Sequence, residues 1–151
     1  MDKWDRYFYN IALIVAKQSE CLSRRIGAIL VRDKSIISTG YNGPPRKTAH
    51  CAELYGDCPR RLEGYKSGEG LHLCPAAHAE ANCITNAARN GINVSGASMY
   101  MTCELPCKNC LALIINAGIC EIVHIGGSYD EISKRLLIES EILVRIFNFG
   151  D

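Results

Sequence analysis

The sequence predicts an α/β fold, a three-layer αβα sandwich around a central five-stranded mixed sheet. Apolar residues switch between helical and strand periods along the chain, helical and extended segments interleave, and glycines or short charged turns separate them. The length of 151 residues fits one domain, 1–151, with one core.

Trp4, Phe8, Ile11, Ala12 and Val15 share one face, which predicts an amphipathic helix over residues 4–18. Residues 25–31 and 35–41 read as strands, and the Arg32-Asp33-Lys34 turn between them makes a hairpin. Residues 43–77 hold four of the five prolines, three cysteines and two histidines, with no sustained apolar period. A stretch that long inside a compact domain needs something to hold it. A helix follows over 79–90, closed by Gly91. Residues 97–101 read as a strand. Residues 107–117 read as a helix closed by Gly118, apolar nearly all round and therefore expected to be buried. A strand over 121–125, a helix from Asp130 to about 140 and a strand over 142–147 complete the order. Such interleaving puts helices on both faces of one sheet. The chain shows no internal repeat and no linker.

Hydrophobic residues make up 48% and charged residues 22%, values ordinary for a globular protein. No run of 18 apolar residues occurs, and the start Met1-Asp2-Lys3-Trp4-Asp5-Arg6 is charged and aromatic. These features argue against a membrane span and a secretory signal, so a cytoplasmic setting is expected. The net charge is +1, from 17 basic and 16 acidic residues. That balance makes nucleic acid an unexpected partner but leaves room for a small anion held by one or two arginines. Nine cysteines without a secretory signal read as metal ligands or catalytic groups before disulfides.

Two motifs carry chemistry. His78-Ala79-Glu80 and Pro106-Cys107-Lys108-Asn109-Cys110 each open a predicted helix, and helix starts can converge on one crevice. Cys107 and Cys110, three apart, lie on one helical face and can pinch a single zinc ion. His78 brings the protein ligands to three and leaves a fourth position for water, the mark of a catalytic site. Zinc lowers the pKa of bound water to roughly 7. Glu80 stands two residues from His78, faces another side, and suits a proton shuttle better than a ligand. H-x-E followed by P-C-x-x-C is the signature of zinc nucleobase deaminases. In that chemistry a zinc-bound hydroxide attacks the ring carbon bearing the amine, and Glu80 carries protons to the ring nitrogen and the departing ammonia.

These motifs join further segments. They are Cys21-Leu22-Ser23-Arg24-Arg25-Ile26-Gly27-Ala28, Ser38-Thr39-Gly40-Tyr41-Asn42-Gly43, Leu73-Cys74-Pro75-Ala76-Ala77-His78 and Ile114-Ile115-Asn116-Ala117-Gly118-Ile119. Through them the chain resembles the deoxycytidylate (dCMP) deaminases of the cytidine deaminase superfamily over nearly its whole length. The resemblance implies a cytidine deaminase-like fold and hydrolysis of dCMP to dUMP and ammonia, a step feeding thymidylate synthesis. It implies His78, Cys107 and Cys110 as ligands of the catalytic zinc and Glu80 as the catalytic acid/base. Asn42 matches an asparagine near the substrate sugar and Tyr129 an aromatic near the nucleotide, with Ala79 a further candidate contact. It also implies activation by dCTP, inhibition by dTTP with Mg2+ on the triphosphate, and a homohexamer. Stand-alone cytidine deaminases generally carry cysteine where His78 stands, which sets that branch apart. The alternatives are a branch acting on tRNA adenosine, a nucleoside or a free base, and a nucleotide-binding protein without catalysis. For the substrate phosphate, Arg24, Arg25, Arg46 and Lys47 are the available cations. Adjacent residues on an extended chain point opposite ways, so one of Arg24 and Arg25 faces the pocket, and Arg25 is favoured.

Cys21, His50, Cys51, Cys58, His72 and Cys74 lie outside these motifs, mostly within residues 43–77. A structural zinc would hold that stretch. The resemblance implies Cys21 and Cys51 as ligands, with His72 and Cys74 expected to complete the set and Cys58 in reserve. The alternative is buried free thiols, which behave as small hydrophobes. Cys83, Cys103 and Cys120 have no ligand spacing and are expected in the core.

Overall fold

The computed structural model describes residues 1–127 and 129–150. Helix α1 (Lys3–Ala16) starts where the Asp2 carboxylate accepts from the backbone N–H groups of Trp4 and Asp5, both at 2.9 Å. Strands β1 (Gly27–Arg32) and β2 (Ser35–Tyr41) pair antiparallel. Asp33 and Lys34, at φ 51° and 59°, form the two-residue turn between them, whose positive φ suits the twist of a hairpin. Residues 43–77 are not structureless. They hold two short helices, α2 (Cys51–Tyr55) and α3 (Pro59–Leu62), and a single 3-10 turn at Leu71–Leu73. Helix α4 (Ala79–Arg89), strand β3 (Ser98–Met101), helix α5 (Lys108–Asn116), strand β4 (Glu121–His124), helix α6 (Glu131–Ser140) and strand β5 (Leu143–Ile146) follow.

The sheet order is β2-β1-β3-β4-β5, with β1 antiparallel to both neighbours and β3, β4 and β5 parallel. Two-residue alternation sorts the side chains. Ala28, Leu30, Met99, Met101 and Ile122 meet α4 and α5 on one face. Ile29, Val31, Tyr100 and Val123 meet Phe8, Tyr9 and Ala12 of α1, with Phe147, on the other. The expected mixed five-stranded sheet between helical layers is therefore present.

Three features of this frame place the functional residues. An isolated bridge pairs Gly43 with Ala77, through Gly43 N–H to Ala77 O at 3.2 Å and Ala77 N–H to Gly43 O at 2.8 Å. It draws together the two ends of the irregular excursion and sets His78 beside the end of β2. Gly40 of β2 lets α4 approach closely, for a Cβ there would lie 2.3 Å from Cys83 N and 2.7 Å from Ala79 O. The crossover β3–α5–β4 sets the start of α5 at the carboxyl end of a parallel strand, where crevices form in such sheets.

Two expectations change. Helix α5 is not buried all round: Cys110, Leu111 and Ile114 are buried while Leu113 is 48% exposed. The sheet covers one face only, and apolar residues on the open face do not bury themselves. Cys120 is exposed rather than in the core, its thiol donating to Gly96 O at 3.3 Å, whereas Cys83 and Cys103 are buried as expected.

Candidate metal and catalytic site

His78 is the N-cap of α4 and Cys107 the N-cap of α5, so both stand at helix starts with Cys110 one turn further on. The Cys107 Sγ accepts from Cys110 N–H at 3.5 Å, which turns the two sulfurs the same way. His78 Nδ1 lies 3.6 Å from Cys107 Sγ and 3.4 Å from Cys110 Sγ. The three ligand atoms fall within 4.8 Å of one another, and no other group of three or more such atoms does so among the described residues. Hydrogen bonds from Cys110 and then His78 hold the Cys107 thiol down, to about 4, while the bond to Cys107, burial and the Glu80 charge push Cys110 up. One imidazole and two sulfurs at this spacing are a donor set that fits zinc. Glu80 stands outside the cluster, buried in the first turn of α4, with Oε1 accepting from the Cys103 thiol at 3.2 Å.

A cavity opens beside these residues. Its walls include His78, Ala79 and Glu80 together with Asn42, Ser23, Arg24 and Arg60. Asn42 and Ala79 are thus both among the residues that line it. The Asn42 carboxamide is also a clamp: Oδ1 accepts from Ile26 N–H at 2.8 Å and Nδ2 donates to Arg24 O at 2.7 Å, leaving Nδ2 one hydrogen. Of the adjacent arginines, Arg24 lines the cavity, paired with Glu104 at 2.6 Å, and exposed Arg25 does not. Alternation along the chain selects one of the pair, as expected, but it selects the other one. Arg46 sits in a separate surface depression, donating to Asn86 Oδ1 at 2.7 Å. Tyr129 is not among the cavity residues; its hydroxyl bonds His124 Nε2 at 3.2 Å. Arg60 was not foreseen. Its Nη1 donates to Glu69 O at 3.0 Å and its Nη2 to Ser23 Oγ at 3.2 Å, while Nε is buried without a hydrogen-bond partner. In the sequence, Arg60-Arg61 looks like a solvated charge pair, and only its place between cysteines hinted otherwise.

Comparison with known proteins decides what these motifs belong to. The model of the cytidine and deoxycytidylate deaminase zinc-binding region matches residues 2–125. The chain belongs to this family. Within it, the chain is 38% identical over 150 residues to a deoxycytidylate deaminase of Saccharomyces cerevisiae, covering 98% of this chain and 46% of that protein. It is 37% identical over 143 residues to one of Schizosaccharomyces pombe, covering 94% and 43%. The chain therefore spans less than half the length of these two yeast relatives. It is also 40% identical over 126 residues to a deoxycytidylate deaminase of Mycobacterium phage D29, covering 80% of this chain and 93% of that one. Among solved structures, the dCMP deaminase of cyanophage S-TIM5, in complex with dCMP and dUMP, shares the fold with a TM-score of 0.76. That match has 22% identity and covers 97% and 99% of the two chains.

The residues expected to form a second metal site divide differently from the expectation. Cys21, Cys51, Cys58 and Cys74 line one further cavity, with His50 beside them, and all four cysteines are free. Burial raises the Cys51 thiol, and Cys74, Cys58 and Cys21 add to the effect in that order. His72 is not in this cavity; its exposed ring meets Tyr65 edge-on at 5.7 Å. The 3-10 turn explains the exchange. His72 lies within the turn while Cys74 follows it in extended backbone, so the Cys74 side chain enters the cavity and the His72 ring turns to Tyr65. Buried Cys58 stands in the cavity instead.

Proposed function

We propose that this chain converts dCMP and water to dUMP and ammonia. The observation that carries the reading is the shared cavity, whose walls include His78 and Glu80 as well as two arginines and Asn42. The deoxycytidylate deaminases among its family relatives support it. His78, Cys107 and Cys110 would hold the zinc. When bound, that ion supplies the Lewis acidity that makes water a nucleophile near neutral pH. The Glu80 carboxylate takes one proton from the water and passes it to the ring nitrogen, then takes the remaining proton of the added hydroxyl and delivers it to the amine, which leaves as ammonia. Asn42 and Ala79 border the nucleoside. Arg24 and Arg60 meet the phosphate, where the guanidinium fork gives parallel hydrogen bonds. The Arg24–Glu104 pair is about half exposed on both sides and can exchange its carboxylate for a phosphate at little cost.

The reading extends to a structural zinc in the cavity lined by Cys21, Cys51, Cys58 and Cys74, whose sulfurs would draw together on binding it and so tie down residues 43–77. It extends further to dCTP activation and dTTP inhibition with Mg2+, to a homohexamer, to supply of dUMP for thymidylate synthesis and to a cytoplasmic setting. No helix among the described residues is long and apolar enough to cross a membrane.

The test is ammonia release from dCMP, CMP, deoxycytidine and cytosine by purified protein, with and without dCTP. Preference for dCMP is expected; preference for deoxycytidine, or no turnover at all, overturns the reading. Glu80→Gln is expected to lower kcat by about 10³ and to keep its zinc. Metal analysis is expected to give two zinc ions per chain, and sedimentation a hexamer.

A further inference from the structure

We propose that Cys103 is a positioning residue for Glu80, its thiol donating to Glu80 Oε1 and fixing the carboxylate for proton transfer. The inference rests on the deaminase reading above and adds a residue outside its motifs. Sγ and Oε1 are 3.2 Å apart, and both residues are 5% exposed, so no bulk water competes for the contact. The donor and acceptor are unambiguous. Burial first, and the Glu80 charge after it, hold the thiol protonated well past neutrality, so sulfur gives the hydrogen and carboxylate takes it.

The backbone that presents this thiol is anchored on two sides. Thr102 N–H donates to Gly27 O at 3.0 Å and Thr102 Oγ1 accepts from Gly27 N–H at 3.0 Å. Cys103 O accepts from Ile125 N–H at 3.1 Å. The thiol is therefore fixed to the ends of β1 and β4. It sits four residues before Cys107, so the loop that delivers two metal ligands also holds the proton carrier of the facing helix. Glu80 extends from the first turn of α4 and also meets the Cys110 thiol, a group the metal would engage, and it has three side-chain torsions to lose when it is held in one orientation. A thiol is a weak donor. It orients the carboxylate without withdrawing much basicity. A hydroxyl would hold the same geometry but bind the carboxylate more strongly.

The experiment compares wild type, Cys103→Ala and Cys103→Ser by dCMP kinetics, zinc content and infrared spectroscopy of the S–H stretch. Cys103→Ala is expected to lower kcat about tenfold with KM within about twofold and zinc unchanged. Cys103→Ser is expected to restore most of that loss. The wild-type minus Cys103→Ala spectrum is expected to show an S–H band shifted down by a charged acceptor, and Glu80→Gln to move that band up. Unchanged kcat in Cys103→Ala overturns the proposal. Loss of zinc, or a loss of kcat that serine does not restore, assigns Cys103 to packing and overturns it too. Should Cys103→Ala not fold, wild type against Glu80→Gln decides, and a difference spectrum without an S–H feature overturns it. Wild type inactive on every substrate would instead defeat the deaminase reading and leave the infrared result standing.

Discussion

At the scale of single residues, the site divides into positions whose chemistry is local and positions whose role depends on a neighbour far along the chain. Arg60 belongs to the second kind. Two of its nitrogens are engaged, but Nε lies buried without a partner, and the side chain lines the same cavity as Glu80. A hydrogen bond to a charged group contributes about 1.5–3 kcal/mol. Arg60→Ala is thus expected to raise KM for dCMP roughly 10- to 100-fold while turnover of deoxycytidine stays unchanged, as steady-state kinetics on the two substrates would show. Arg60→Lys, which keeps the charge but loses the fork, should fall between. Spacing made the Cys107–Cys110 pair legible because i, i+3 at a helix start is a local relation. Arg60 and the choice of Arg24 over Arg25 were not legible, because both depend on which side of the irregular 43–77 excursion faces the cavity.

At the scale of elements, the approach of α4 to β2 governs the site, since α4 carries His78 and Glu80. Gly40 makes that approach possible. A methyl group there would press on Cys83 N and Ala79 O, both backbone atoms that cannot swing aside. Gly40→Ala is expected to cost about 1–3 kcal/mol and to lower activity as well, because relief requires moving α4. A lower denaturant midpoint with reduced zinc content would confirm the direction. The elements themselves were largely legible. Outside residues 43–77, where α2, α3 and the 3-10 turn gave no readable period, strand and helix periods placed each element to within a few residues, and the positive-φ turn at Asp33-Lys34 fell between the two strands read as a hairpin. Helix α5 shows the limit. Its apolar residues run round the helix, and only packing reveals that one face is covered.

At the scale of the whole molecule, one polar network ties the first helix to the last strand. Arg145 of β5 donates to Asp5 Oδ2 at 2.8 Å and Oδ1 at 2.9 Å, and to Glu121 at 3.2 Å, while Tyr100 donates to Asp5 Oδ1 at 2.6 Å. The Arg145 bond lowers the Asp5 carboxyl from an ordinary 3.8 to about 2, against the opposing effect of burial. A depressed folded-state pKa stabilises fully above the unfolded value and is lost as protons bind the folded carboxylate. Stability is therefore expected to decline as pH falls from about 4 toward about 2, read as a falling thermal midpoint. Asp5→Asn should flatten that part of the profile. It should also cost about 3 kcal/mol at neutral pH, because Arg145 loses its main partner.

The sequence by itself determined the order of the main helices and strands and the two motifs that name the chemistry, since each element and each motif rests on residues within a turn or a pleat of one another. Tertiary structure alone decided that Cys58, not His72, lines a cavity with Cys21, Cys51 and Cys74, that Arg24 and Arg60 border the cavity of Glu80, and that Cys103 reaches Glu80. Those relations join residues far apart in the chain. Their distances are set by how α4 and α5 pack on the sheet and by the bridge closing residues 43–77, which no local period records.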